Sequence, residues 1–140
     1  MDDALFGRFP RPPCADLLGL TLLDHNPDER WARFAFEGRR EFLNPAGFIQ
    51  GGILSAMLDD TMGPTVLLAS RGTLFTATIN LNVNFIQGAR PGRLLTEGRV
   101  ISMGKTIAFV EATLTDAQGA KLATASASAR LVPVEKLPPA

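Results

Sequence analysis

A single cysteine and a single histidine serve a chain of 140 residues. With only Cys14, no intrachain disulfide can form. Cys14 stands in a proline-rich stretch with no base beside it, which marks it as structural or incidental. With only His25, set in the turn-like run His25-Asn26-Pro27-Asp28, a Ser-His-Asp set has no usable member, and His25 is expected at the surface. An excess of either charge is also lacking, because 14 Lys and Arg balance 14 Asp and Glu. That balance favours neither nucleic acid nor an anionic membrane as a partner, and it leaves little repulsion between copies. The start, Met1-Asp2-Asp3, has no basic region before an apolar core, so no secretory signal is expected and the cytoplasm is the default location. The longest apolar stretch, residues 53–69, contains two acids, a glycine and a proline, and is not an ordinary membrane span. The G-x-G-x-x-G, P-loop, C-x-x-C, H-E-x-x-H and G-x-S-x-G patterns are absent, as is any internal repeat.

What is present describes an ordered globule: 46% hydrophobic and 20% charged residues. Residues 1–140 are read as one domain, long enough to bury about two-thirds of its unfolded surface. Pro10, Pro12 and Pro13 make residues 1–16 an arm outside regular structure, and residues 133–140 a proline-rich tail. Leu17 to Asp24 is expected to end a short helix and begin a strand, paired as a hairpin with Trp31 to Phe36. From Thr78 to Phe85, Ile79, Leu81, Val83 and Phe85 alternate with Thr78, Asn80, Asn82 and Asn84, which predicts one buried and one polar strand face. Three more strands follow: Leu94 to Met103, Thr106 to Thr115, and an Ala- and Ser-rich run from Leu122 to Val132 that predicts close packing beside something bulky. Asp116-Ala117-Gln118-Gly119 closes the last hairpin. Two strands, a long helix and four strands with short turns give an α+β arrangement in which an antiparallel sheet wraps the helix.

The chain is organised around Asn44 to Gly63, where a glycine-bearing loop runs into that helix. Gly51 and Gly52 at the helix start allow close approach and leave free N–H donors for partial negative charge. At about 100° per residue, Ile53, Leu54, Met57, Leu58, Thr61, Thr65 and Leu68 form one face. Gly52, Ala56, Asp59 and Gly63 form a strip of small residues on the other, permitting a backbone or ligand to lie there. A mid-helix acid pair ordinarily points into water, but apolar residues surround this one. Asp59 is therefore expected to be shielded and functional, and Asp60, at the border of the faces, solvated or salt-bridged. Pro64 is expected to kink the helix or loosen a turn by removing its N–H from the ladder.

The pattern Asn44-x-x-Gly47-x-x-Gln50-Gly51-Gly52, with Asp59 nine positions after Gln50, resembles the PaaI-like branch of the hotdog-fold acyl-CoA thioesterases. The resemblance continues through Thr78 to Phe85, the Gly104-Lys105-Thr106 turn and the last hairpin. It implies a hotdog fold, hydrolysis of a small, medium or aromatic acyl-CoA, and homodimers that share sites and pair into homotetramers. It also implies no cofactor beyond the CoA of the substrate. Carried over residue by residue, Gly51 N–H holds the thioester carbonyl and Asp59 acts as general base or nucleophile across the dimer interface. Asn44 positions water or substrate, and Thr78 holds the attacking water. Gln50 stands where the family has histidine; it keeps a hydrogen bond but takes up no proton near neutral pH. Gly52, Gly104, Lys105, Arg90 and Arg93 are the CoA-binding candidates, with the Gly104-Lys105 turn first. A non-catalytic acyl-CoA binder on the same fold is the alternative. A hydratase-type hotdog enzyme, which pairs Asp with His, ranks last.

Overall fold

A computed structural model describes residues 9–137. Residues 1–8 of the expected arm and 138–140 of the expected tail lie outside the described residues. A short helix α1 (Pro13–Leu18) leads to β1 (Thr21–Asn26) and β2 (Trp31–Gly38). The long helix α2 (Gly51–Ala69) follows, then β3 (Leu74–Phe85), β4 (Gly92–Met103), β5 (Ile107–Asp116) and β6 (Lys121–Pro133). All six strands join one antiparallel sheet in the order β1-β2-β4-β5-β6-β3. The sheet packs around α2, the α+β arrangement expected from the residue pattern and the hotdog fold implied by the resemblance. Among the described residues no helix is long and apolar enough to cross a membrane.

A trough of small side chains seats the helix. Ala32, Gly98, Ala112 and Ala125 are partners in sequence across β2, β4, β5 and β6, and all four are buried. Above them α2 buries Leu54, Met57, Leu58, Thr61, Met62, Thr65, Val66 and Leu68, which includes six of the seven residues of the predicted apolar face; Ile53 is half-buried. The bulky neighbour of the Ala-rich β6 is α2 itself: Ala123, Ala125, Ala127 and Ala129 are all buried. The threonines inside this contact need partners, because a buried unpaired hydroxyl costs roughly 1–3 kcal/mol. Thr61 Oγ1 donates to Met57 O at 2.8 Å and accepts from Thr96 Oγ1 at 2.7 Å, while Thr65 Oγ1 donates to Thr61 O at 2.7 Å.

Three expectations change. Pro13 is not in an irregular arm but opens α1, where the missing proline N–H is not needed; Gly19, at φ 71°, caps the helix in the left-handed region. His25 lies in β1 opposite Ala32, half-buried, rather than in a surface turn. The strict alternation of β3 fails at a bulge. Thr78 pairs with Ala129 and Asn80 with Ser128, so Ile79 is an extra residue in the ladder. Ile79 is 62% exposed and Phe85 54% exposed, because β3 is an edge strand whose far side no other strand covers.

Candidate active site

The approach to α2 is pinned by backbone bonds. Gln50 N–H donates to Phe42 O and Ile49 N–H to Ala89 O, both at 2.8 Å. Asn44 Oδ1 accepts the N–H groups of Ala46 at 3.0 Å and Phe48 at 3.1 Å, and Asn44 N–H donates to Phe48 O at 2.7 Å. Its side-chain oxygen thus shapes the loop, and only its amide NH₂ remains to face a ligand. Gln50 is the residue before the helix, exposed and extended at φ −54° and ψ 134°, and its side chain makes no capping bond. Gly51 and Gly52 follow as the first two helical residues, and their N–H groups have no partner among the described residues. The ring of Phe85 lies so near that a Cβ on Gly51 would meet it at 3.2 Å.

The flank of α2 that carries Gly51, Asp59 and Gly63 faces β3, and the two elements run in opposite directions. Gly51 lies by Phe85, Asp59 by Thr78, and a Cβ on Gly63 would meet Thr76 Oγ1 at 3.2 Å. Thr78 Oγ1 donates to Asp59 Oδ1 at 3.2 Å. The Ile79 bulge makes this possible. It places Thr76 and Thr78 on the same sheet face as Leu81 and Val83, where unbroken alternation would have turned Thr78 away from the helix.

Asp59, Asp60 and Thr78 line a cavity of about 660 Å³ between α2, the start of β3 and residues 9–15. The two acids exchange the places expected of them. Asp59 is exposed, whereas Asp60 is half-buried, with its Oδ2 fully enclosed and without a hydrogen-bond partner. Residues 9–15 and α1 cover that flank of α2, which a helical projection against one sheet does not anticipate. Burial, reinforced by the charge of Asp59 and opposed by Arg11, pushes the Asp60 carboxyl from 3.8 up to about 6. The folded state therefore holds a proton there that the unfolded chain has released, and stability falls as pH rises from 3.8 to about 6. Asp60→Asn is expected to raise Tm near neutrality and to have no such benefit in the acid range. Thermal melts across pH check this.

Cys14 lines the same cavity, and its thiol is free. Phe42, Ile49 and Met62 belong to the core and do not reach it. The CoA-binding candidates are separated within one chain. Arg93 sits at the start of β4 and Lys105 beyond its end, on the order of 40 Å apart at the usual strand rise. Arg90 stacks over the Phe48 ring at 5.0 Å, at the Gly51 end of the sheet, while the Gly104-Lys105 turn is at the Asp59 end. Arg93 lines a different cavity beside Gly38 and Arg39. Gly52 is exposed with open space before it. Among the described residues no group of three or more His, Cys, Asp or Glu is placed to hold a metal ion.

Residues 46–123 of the 140 match the model of the thioesterase superfamily. The chain belongs to that superfamily. A solved Ralstonia eutropha JMP134 protein described as a thioesterase, phenylacetic acid degradation-related, is 31% identical to this superfamily member. The match covers 90% of this chain and 95% of that one, with a TM-score of 0.84. A Saccharolobus solfataricus protein described as an esterase is 31% identical over 81 residues, and the match spans 58% of this chain but only 57% of the length of that relative. A Streptococcus mutans UA159 protein solved with acetyl CoA shares the fold at 21% identity. That match has a TM-score of 0.72 and covers 81% of this thioesterase-superfamily chain and 89% of the other.

Proposed function

We propose that the protein is an acyl-CoA thioesterase whose active sites each draw on two copies of the chain. The observation that carries the reading is the Thr78–Asp59 hydrogen bond at the wall of a largely apolar cavity. A carboxylate next to a hydroxyl can hold and deprotonate a water, or attack directly, while the cavity takes the acyl group. The thioester oxygen gains negative charge during attack, and the unpaired N–H groups at the start of α2 suit it. One such donor contributes about 3 kcal/mol of barrier lowering. The retained acetyl CoA of the Streptococcus mutans protein supports the CoA thioester as ligand class.

Within one chain these parts are too far apart. Asp59 is eight residues beyond Gly51, so the two are separated by about 12 Å along the helix. A second copy resolves this. Because Gly51 lies over Phe85 and Asp59 over Thr78, an antiparallel pairing of two β3 edges centred on Asn82, with Ile79 as the extra residue of the bulge, sets Phe85 of one copy opposite Thr78 of the other. The Gly51 amide of one copy then faces Asp59 of the other. The same operation brings Arg90 of one copy toward Lys105 of the other, so the split basic groups serve one CoA. It also covers the exposed Ile79 and Phe85 and shields Asp59. A tetramer of two such dimers leaves each shared site intact.

The test is complementation. Gly51→Pro removes the N–H at a position where proline is tolerated, since Gln50 before it is already extended. Asp59→Asn removes the acid. Each variant alone is expected to be inactive in thiol release from a panel of acyl-CoAs. Co-refolding the two is expected to restore activity in mixed dimers, each of which holds one intact site. Failure to restore any activity, with mixed dimers demonstrated, would overturn the shared site. The second reading, a non-catalytic acyl-CoA binder, draws on Gln50, which supplies no titrating group beside the glycines. CoA-ester binding without turnover by the wild type would favour it.

A further inference from the structure

A second cavity, of about 620 Å³, lies where β2 ends and β4 begins, on the β1 side of the sheet and away from the β3 edge. Glu37 and Arg93 are partners across those two strands. They alternate with the buried pair Phe36 and Leu94, so they project from the sheet face turned away from α2. The guanidinium groups of Arg39, Arg40 and Arg93 line the cavity, together with the carboxyls of Glu37 and Glu41. Arg39 is engaged: its Nη2 donates to Asp16 O at 3.1 Å and meets Glu37 Oε2 at 3.3 Å. Arg40 and Arg93 differ. Both are exposed, and among the described residues neither holds an acid, a hydrogen-bonded side-chain partner or a ring. Gly92 leaves room beside Arg93, since a Cβ there would meet nothing within 4 Å. Two forked, permanently charged donors on one concave wall suit a phosphate group. Glu41 opposes any anion there, so a monocarboxylate gains little, whereas the second charge of a phosphate outweighs that acid.

The two cations also come from telling places in the chain. Arg40 opens a 3-10 turn, Arg40–Phe42, and Phe42 O holds the Gln50 N–H at 2.8 Å. Arg93 follows Ala89, whose carbonyl oxygen holds the Ile49 N–H at 2.8 Å. The segments that supply the cations are thus the same two that pin the residues before Gly51. We propose that Arg40 and Arg93 form an effector site for a phosphate-bearing small molecule, separate from the active site, and that the bound phosphate steadies the start of α2 by joining these two segments. The inference goes beyond the acyl-CoA reading, and neither the binding nor the steadying depends on it. Free phosphate and the phosphate of a nucleotide carry the same chemistry, and the test tells them apart.

The experiment uses the full chain in a phosphate-free buffer, with inorganic phosphate and adenosine 3′,5′-bisphosphate as the two probes. Calorimetry is expected to show saturable binding of at least one of them, and the tighter probe identifies the source as free or nucleotide-borne. Arg40→Gln and Arg93→Gln are each expected to weaken binding about tenfold or more, the loss for one charge-assisted hydrogen bond. Arg130→Gln removes an equal charge near the opposite end of the sheet, where Arg130 pairs with Ile107, and is expected to change Kd by about twofold at most. Binding is also expected to slow hydrogen exchange at the Ile49 and Gln50 amides in the wild type. No binding of either probe, unchanged affinity in both glutamine variants at the site, equal weakening by Arg130→Gln, or exchange unaltered by a bound probe overturns the proposal. None of these readouts needs turnover. A wild type that binds a probe and protects both amides but releases no thiol from any acyl-CoA would sink the hydrolase reading and leave this one standing.

Discussion

Asp59→Asn is expected to lower kcat/KM for acyl-CoA hydrolysis by about 10²–10⁴-fold, the range for loss of a positioned general base. Asparagine keeps the shape and can still accept from Thr78, whose hydroxyl sits 3.2 Å from the Asp59 oxygen. What it loses is the capacity to take a proton or to attack. Asparagine keeps the Thr78 contact and removes the charge that disfavours an ionised Asp60, so the exchange should not lower Tm, which separates a chemical loss from a folding one. Thiol release measured alongside a thermal melt gives both readings. A variant that hydrolyses at the wild-type rate would remove Asp59 from the mechanism.

The largest effect on stability is expected from Gly98→Val. A Cβ on Gly98 would lie 2.3 Å from Thr65 Oγ1 and 3.2 Å from Thr61 Cγ2, deep in the contact between β4 and α2. Neither threonine can step aside easily, because each already bonds a helix carbonyl and Thr61 also bonds Thr96. The helix must lift from its trough or the hydroxyls must give up partners, and overpacking of this kind costs about 1–3 kcal/mol or more. Chemical denaturation should show a lower midpoint, with activity falling in step as α2 shifts. A midpoint within error of the wild type would mean that the trough is looser than these distances imply.

Much of this architecture is legible in the residues. The helix from Gly51, its apolar face, the hairpins, and the strip that ends at Gly63 follow from periodicity and from where glycine and proline fall. The exchange of roles between Asp59 and Asp60 does not. A helical projection sorts side chains against one covering surface, and α2 has two: the sheet beneath and the segment from Phe9 to Ala15 at its flank. Proline-rich segments carry no periodicity that would place them, so the burial of Asp60 has no local sequence signal. Nor does the bulge at Ile79, since an extra residue in a ladder is defined by the partner strand and leaves the alternating run looking regular. The separation of Arg93 from Lys105 follows from simple strand length once both ends of β4 are known.

That bulge has a consequence for how the strand tolerates change. The hydroxyl at position 78 reaches its acid through spacing, not through the chemistry of position 79, whose side chain extends outward. Swapping isoleucine there for another residue alters little of that aim. Drawing Ile79 into a regular ladder would turn Thr76 and Thr78 away from the helix while Leu81 to Phe85 stayed put, whereas deleting the position would leave Thr78 opposite Ala129 and still aimed at its acid. What β3 has to keep is the place of Thr78 opposite Ala129, whatever the count of residues between it and Asn80.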